Sequence, residues 1–278
     1  MQYSKDCFWT ILTLSLPSGA EKDSVISEAF SYVDEFESKY SRFIPGNLLD
    51  TINTNKRFTL DPEISSLIRL SLKISQITQW YYDITLLPFL ENLGYGIKNH
   101  HVAIDYGYKN IDLQGNKITL KNNVSIELGS CGKGYILDLL YNTLSKRYDD
   151  FVIDFGWDMR VSWVKKVFLE DPGDASKMLG SITLDNVSIA CSAGNKRKIW
   201  KKHHLINPRN SDAPDDKIAV YVTHKLWVFA DSFATALFVT PLKLAINILE
   251  KTPGLEWLII ATDGKIYKSA GFNCNLTL

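Results

Sequence analysis

No stretch of this 278-residue chain reaches the roughly 18 to 20 consecutive apolar residues that a membrane-spanning helix needs. It has no net charge, since Lys+Arg and Asp+Glu both total 31. That excludes a surface built as a whole for nucleic acid, and it leaves room for a local basic pocket that holds a small anion. Cysteine is scarce. Cys7, Cys131, Cys191 and Cys274 stand far apart, form no CxxC pair and match no zinc-ligand spacing. They read as reduced thiols, so a cytoplasmic compartment is the expectation. The start of the chain agrees with it. Asp6 precedes the short apolar run 8–14, threonines interrupt that run, and no small-residue cleavage site follows cleanly. The run therefore reads as a strand and not as the core of a secretion signal, with an exported and trimmed precursor as the alternative. Repeats and low-complexity tracts are absent too. With 45% hydrophobic and 22% charged residues, the composition is that of a globular chain.

What is present is a succession of helical and extended patterns. Val25, Ile26, Ala29, Phe30, Val33 and Phe36 recur at helical period and predict a helix over about residues 20–40, which Pro45-Gly46 breaks. Asp61-Pro62-Glu63 supplies an N-cap, a proline at the first helical position and a first-turn acid. That helix is expected to run to about residue 80. Residues 109–113 and 117–120 flank Gln114-Gly115-Asn116, a hairpin signal. Residues 124–128 read as a third strand, which ends in Gly129-Ser130-Cys131-Gly132-Lys133-Gly134 before a helix through Leu144. Strands are expected at 151–155, 160–169, 179–184 and 218–223, then a helix over about 229–250 interrupted near Pro241. Strands at 257–261 and 265–267 enclose an Asp263-Gly264 turn. Helices and strands that mix without strict alternation argue an α+β fold, and no linker divides residues 1–278.

Five stretches offer chemistry. The glycines of 129–134 let the backbone approach a ligand, the following helix N-terminus favours an anion, and Lys133 adds a positive charge. Gly134 stands where a P-loop has Ser or Thr, and a tight turn with a solvated lysine is the simpler reading of this stretch alone. Asp231 and Thr235, at i and i+4, share one helix face. A carboxylate and a hydroxyl suit Mg²⁺ when backbone, water and phosphate oxygens complete the shell. The alternative is an acid that complements its own helix N-terminus beside a core threonine. His203 and His204 are adjacent among only five histidines, and histidine moves protons near neutral pH. On an extended segment the two point to opposite faces, and they lack a zinc-ligand pattern. Asp83 and Thr85 are either local backbone caps or ligand contacts. The stretch from Asp154 to Asp158 is either a strand-end turn or part of a site.

The order of these stretches is more specific than any one of them. Ser41-Arg42-Phe43 with Asn53, Tyr82-Asp83-Ile84-Thr85 with Pro88, and Leu93-Gly94-Tyr95-Gly96 come first. Glu127-Leu128-Gly129 with Gly132-Lys133-Gly134-Tyr135 and Asp138, then Ile153-Asp154 with Gly156 and Asp158, come next. Ile189-Ala190-Cys191-Ser192, His203-His204-Leu205-Ile206 with Pro208-Arg209, and Ala230-Asp231 with Ala234-Thr235-Ala236 complete the series. Together they resemble the FAD:protein FMN transferase (ApbE-like) family over nearly the whole chain. The resemblance implies a single α+β domain of mixed and antiparallel sheets flanked by helices, related to the T-fold. It implies an enzyme that binds FAD and Mg²⁺, transfers FMN to a Thr or Ser hydroxyl of a client flavoprotein and releases AMP. A Mg²⁺-dependent FAD pyrophosphatase and a non-catalytic FAD-binding protein stay open as alternatives.

By position, the resemblance implies Asp231, Thr235 and the Ser130 carbonyl as metal ligands, and Lys133 at the pyrophosphate. It implies His204 as the base, aided by Asp231. It also implies an FAD pocket shaped by Phe43, Asp83, Thr85, Gly129, Ser130, Cys131, Lys133, Asp158, Ser192, His204 and Arg209. The chain departs from the family pattern at Trp157, where small residues are usual, and at Cys191-Ser192-Ala193 in place of Thr-Ser-Gly. It departs again at Asn207, which replaces an aspartate, and at Asn210-Ser211, which replace Thr-Gly.

Overall fold

Where the sequence reads as one strand, the chain opens as a hairpin. β1 (Gln2–Cys7) and β2 (Thr10–Ser15) pair antiparallel, with Cys7 opposite Thr10. Phe8 and Trp9 form the turn with φ of 49° and 62°, the left-handed pair that a two-residue hairpin turn requires. Neither is Gly, Asn or Asp, so the turn left no signal in the sequence. This computed structural model describes residues 1–19, 24–94, 105–156, 158–172, 174–194, 198–199, 202–203 and 205–277.

Helices α1 (Ser24–Tyr40) and α2 (Leu48–Asn55), strand β3 (Arg57–Thr59), and helices α3 (Pro62–Ile77) and α4 (Leu87–Asn92) follow. Asp61 caps α3 as its start signal predicts, accepting the Ile64 N–H at 2.9 Å. The helix stops at Ile77 because Gln79 and Trp80 take φ of 52° and 69°. β4 (Ile111–Gln114) and β5 (Lys117–Leu120) form the expected hairpin, and β3 joins the other side of β5.

Residues 124–128 are not a strand. The Asn53 amide takes both polar groups of Ile126, donating to its carbonyl at 2.9 Å and accepting its N–H at 2.8 Å. The Glu127 N–H goes to the Ile84 carbonyl at 2.8 Å. Apart from a single parallel bridge between Ser125 and Leu86, a side chain satisfies the middle of this backbone in place of a neighbouring strand, and apolar periodicity does not tell the two apart.

The remaining elements are α5 (Gly132–Leu144), β6 (Val152–Phe155), β7 (Asp158–Val161), β8 (Val164–Asp171), β9 (Asp174–Asp185), β10 (Ser188–Ala193), β11 (Lys198–Ile199), β12 (Lys202–His203), β13 (Lys217–His224), α6 (Trp227–Val239), α7 (Leu242–Lys251), β14 (Glu256–Ala261), β15 (Ile266–Lys268) and β16 (Cys274–Leu276). The main sheet has the order β1-β2-β6-β7-β10-β13-β14-β15 and is antiparallel throughout. A smaller sheet runs β16-β9-β8. Alternation along the strands sends side chains into two cores. Val220, Val222 and Ile259 pack with the helices, whereas Ala219, Tyr221 and Leu258 pack with Leu169 and Ile182 of the small sheet. Both faces are covered, which is why β13 and β14 read as nearly unbroken apolar runs. α6 is buried almost all round, as a helix apolar on every side must be. It lies against β10, β13 and α5. No helix among the described residues is long and apolar enough to cross a membrane.

Candidate active site

The site grows from two helix N-termini that cap each other. Neither α5 nor α6 has a side-chain cap at its own N-cap residue. Asp138 of α5 accepts the first N–H groups of α6, from Trp227 at 2.7 Å and Val228 at 2.9 Å. Asp231 of α6 accepts the Gly134 N–H of α5 at 3.1 Å. Each carboxylate also meets the positive end of the neighbouring helix dipole. So Asp231 complements the start of α5, not that of its own helix. The crossing depends on Gly134, where a Cβ would lie 2.7 Å from Val228 Cα and 2.9 Å from the Trp227 carbonyl oxygen. Burial pushes the Asp138 carboxyl up to about 6 despite its two N–H bonds.

Beside this crossing lies a cleft. Asp231 and Thr235 of α6, Gly129, Ser130 and Lys133 at the start of α5, Asp158 of β7 and Ser192 of β10 all line it, as do Phe43 and Asp83. The Thr235 hydroxyl is 3.4 Å from that of Ser192, and Ser130 shares a 2.8 Å hydrogen bond with the Tyr82 hydroxyl. Lys133 is not simply solvated. Its ammonium forms an ion pair with the buried Asp158 carboxylate, whose other oxygen accepts the Cys191 N–H at 3.2 Å. Asp158 thereby ties the lysine to the central sheet.

Asp83 is held by groups behind the cleft, and Thr85, Cys131 and Arg209 are not part of its lining. Asp83 accepts the Thr85 hydroxyl at 2.7 Å and the N–H groups of Thr85 and Tyr108, each at 2.8 Å. It also accepts the Trp80 indole N–H at 2.5 Å. Burial still pushes its carboxyl up against those bonds. Thr85 is fully buried and accepts the Gly107 N–H at 2.6 Å, so this pair organises the wall from within. Cys131 is fully buried too, with its sulfur 3.5 Å from the Ser71 hydroxyl. Burial raises its thiol to about 12. Arg209 is exposed and lies over the Tyr81 ring at 4.8 Å; Tyr81 itself lines the cleft. The Asn207 amide oxygen accepts the Arg209 N–H at 2.9 Å, a turn bond that an aspartate carboxylate would also make. Ser211 adopts φ of 57°, a left-handed backbone that suits the glycine the resemblance implies there. His204 and Trp157 lie outside the described residues.

Sequence reasoning missed the ion pair of Arg42 and Glu127 as site residues. Their side chains are nearly buried, 3.4 Å apart, and both line the cleft. Glu127 also accepts the Gly129 N–H at 2.7 Å and so shapes the glycine turn. Both residues stand inside the quoted motifs, yet nothing about an isolated Arg or Glu says that it is buried. Phe8, Tyr81 and Tyr82 also line the cleft; Tyr82 stands inside a quoted motif, and Phe8 and Tyr81 left no signal beyond being aromatic.

Among the described residues, no group of three or more His, Cys, Asp or Glu side chains is placed to hold a metal ion. The cleft offers instead one carboxylate and one hydroxyl on adjacent turns of α6, with Ser130 nearby. An all-oxygen set this sparse fits Mg²⁺ in a site where substrate phosphates complete the shell.

Known proteins resemble this chain in shape and, more distantly, in sequence. The ApbE protein of Thermotoga maritima superposes with a TM-score of 0.85 over 98% of this chain and 97% of its own, at 22% identity. The flavin transferase ApbE of Vibrio cholerae gives 0.85 with the same coverage at 17% identity. At these identities the likeness shows the fold. The FAD:protein FMN transferase of Chlamydia muridarum is 24% identical over 81% of this chain and 78% of its own length. That of Buchnera aphidicola is 25% identical over 86% and 78%. The sequence pattern of the ApbE family matches residues 6–259, and with that span covered, this chain belongs to the ApbE family.

Proposed function

We propose that this protein is a flavin transferase that moves FMN from FAD to a Thr or Ser hydroxyl of a client protein and releases AMP, with Mg²⁺. The observation that carries the reading is the cleft itself. Asp231, Thr235, Lys133 and the glycine turn converge there from distant parts of an ApbE-family chain, whose relatives are FAD:protein FMN transferases. Phosphoryl transfer depends mainly on positioning and on neutralising spread charge. Lys133, held by Asp158 at the start of α5, supplies a positioned cation for the pyrophosphate. Asp231, Thr235 and the Ser130 carbonyl would hold Mg²⁺, which when bound polarises the phosphate and steadies the leaving AMP. His204 is assigned the proton of the acceptor hydroxyl, a contribution of about 10²–10⁴-fold in rate.

The test incubates purified protein with FAD, Mg²⁺ and a flavin-carrying protein domain bearing Thr and Ser. In-gel flavin fluorescence reads the acceptor, and chromatography reads AMP. Covalent flavin with stoichiometric AMP is expected. FMN and AMP without labelling would replace the reading with FAD hydrolysis, and tight FAD that stays intact would replace it with binding alone. His204→Ala should keep FAD binding and lose transfer; near-normal transfer would remove the base assignment. Asp231→Ala should abolish Mg²⁺-dependent turnover. It should also lower stability by about 1 kcal/mol, the usual worth of a helix cap, because Asp231 caps α5.

A further inference from the structure

The turn at residues 8–9 is out of place on folding grounds. Both residues hold left-handed backbone, with φ of 49° and 62°, where glycine, asparagine or aspartate is the comfortable choice and a bulky side chain is an outlier. Phe8 is accounted for by its surroundings. Glu37 accepts its N–H at 2.8 Å, and its ring packs at 6.1 Å from Phe36 and 5.8 Å from Phe155. Trp9 is different, because it is 77% exposed, so burial offsets little of its strain. Its ring instead lies 4.7 Å from that of Phe43 at 34°. Phe43 lines the cleft, and so do Phe8 and Thr10 on either side of Trp9. The Arg42 guanidinium also sits over the Phe43 ring, 5.0 Å from its centroid. An aromatic pair thus runs from Phe43 in the cleft lining to the exposed Trp9 ring. Strained backbone of this kind gathers at sites where a ligand, not the fold, uses the side chain.

We propose that Trp9, backed by Phe43, is a stacking platform that binds one of the two planar rings of the dinucleotide at the cleft mouth. The proposal rests on the FAD reading above. Flavin and adenine share the chemistry that such a platform recognises, a flat π-system laid against an indole.

Trp9→Gly tests it with opposite signs for the two possible roles. Glycine relieves the left-handed backbone, so the melting temperature should hold or rise, while FAD affinity measured by flavin fluorescence should fall about ten-fold or more. Ten-fold corresponds to about 1.4 kcal/mol, within the range of single-base stacking. Trp9→Phe should restore most of the binding. FMN and ADP as competitors then identify the ring, since only the competitor carrying the stacked ring should lose affinity in Trp9→Gly. Wild-type FAD affinity in Trp9→Gly overturns the proposal, and so does a fall in affinity matched by a fall in melting temperature. If the wild-type protein binds no FAD, the flavin-transferase reading itself fails, a result distinct from either of these.

Discussion

Gly134→Ala probes the contact on which the site is built. The added methyl would lie 2.7 Å from Val228 Cα, 2.9 Å from the Trp227 carbonyl oxygen and 3.0 Å from Asp231 Cβ. Relaxed carbon contacts are about 3.5–4.0 Å, so the helices must part by roughly 1 Å. Two of the three obstacles are backbone and cannot rotate away. Overpacking of this kind costs about 1–3 kcal/mol. The same displacement stretches the 3.1 Å bond from the Gly134 N–H to Asp231, and a hydrogen bond to a charged group is worth about 1.5–3 kcal/mol. Alanine's better helix propensity returns up to about 1 kcal/mol. With that bond weakened and not broken, the net expectation is a loss of roughly 2–4 kcal/mol. For a chain of this size that lowers the melting temperature by about 5–15 °C, read by circular dichroism. Transfer activity should fall further than stability, because Asp231 shifts with the helix. Gly132→Ala is the control: its methyl would meet the Phe36 ring edge at 3.0 Å and 3.2 Å, and a ring is able to turn. A wild-type melting temperature in Gly134→Ala, or a larger loss in Gly132→Ala, would refute the reasoning.

Three further outcomes follow from the same geometry. Asn53→Ala strips the partners from the Ile126 N–H and carbonyl, each worth about 1–3 kcal/mol when buried and unpaired. Urea denaturation should show a loss of roughly 2–4 kcal/mol, with Asn53→Asp in between; a loss below about 1 kcal/mol contradicts the assignment. Asp138 has its carboxyl raised from 3.8 to about 6 by burial. Its contribution to stability is therefore complete below pH 3.8 and is lost as the pH rises through about 6. Asp138→Asn lacks this titration, so the stability of wild type minus variant should fall by up to roughly 3 kcal/mol between about pH 4 and 7, and a difference independent of pH rejects it. Cys131, fully buried with its thiol raised to about 12, should react with a maleimide only on unfolding, after the half-buried Cys191 and Cys274. Labelling of native Cys131 at their rate, read by mass spectrometry, would contradict its placement.

Much of the fold was legible where a residue's local chemistry and its tertiary role coincide. Asp61-Pro62-Glu63 starts α3, Gly115-Asn116 turns β4 into β5, and Pro241 separates α6 from α7. The hairpin at Phe8-Trp9 was illegible because its turn residues are the wrong type for the backbone they adopt. The segment 124–128 was misread because its apolar periodicity is that of a strand, while both backbone bonds of its central residue Ile126 come from the Asn53 side chain. In the site, the glycine turn and the Asp231–Thr235 pair stood out, since their residue types are informative by themselves. The Arg42–Glu127 pair did not, because burial is a property of the surroundings.

By itself the sequence determined the family, the α+β class and the stretches that meet at the cleft, because motif order and hydrophobic period are written along the chain. Only the tertiary structure decided what each of those residues does there. Asp231 and Asp138 cap each other's helices, Asp158 holds Lys133, and Thr85 and Cys131 stand behind the cleft wall. The physical reason is range. A cap, an ion pair or a buried thiol depends on which groups distant in sequence come within a few ångströms, and that distance is set by packing.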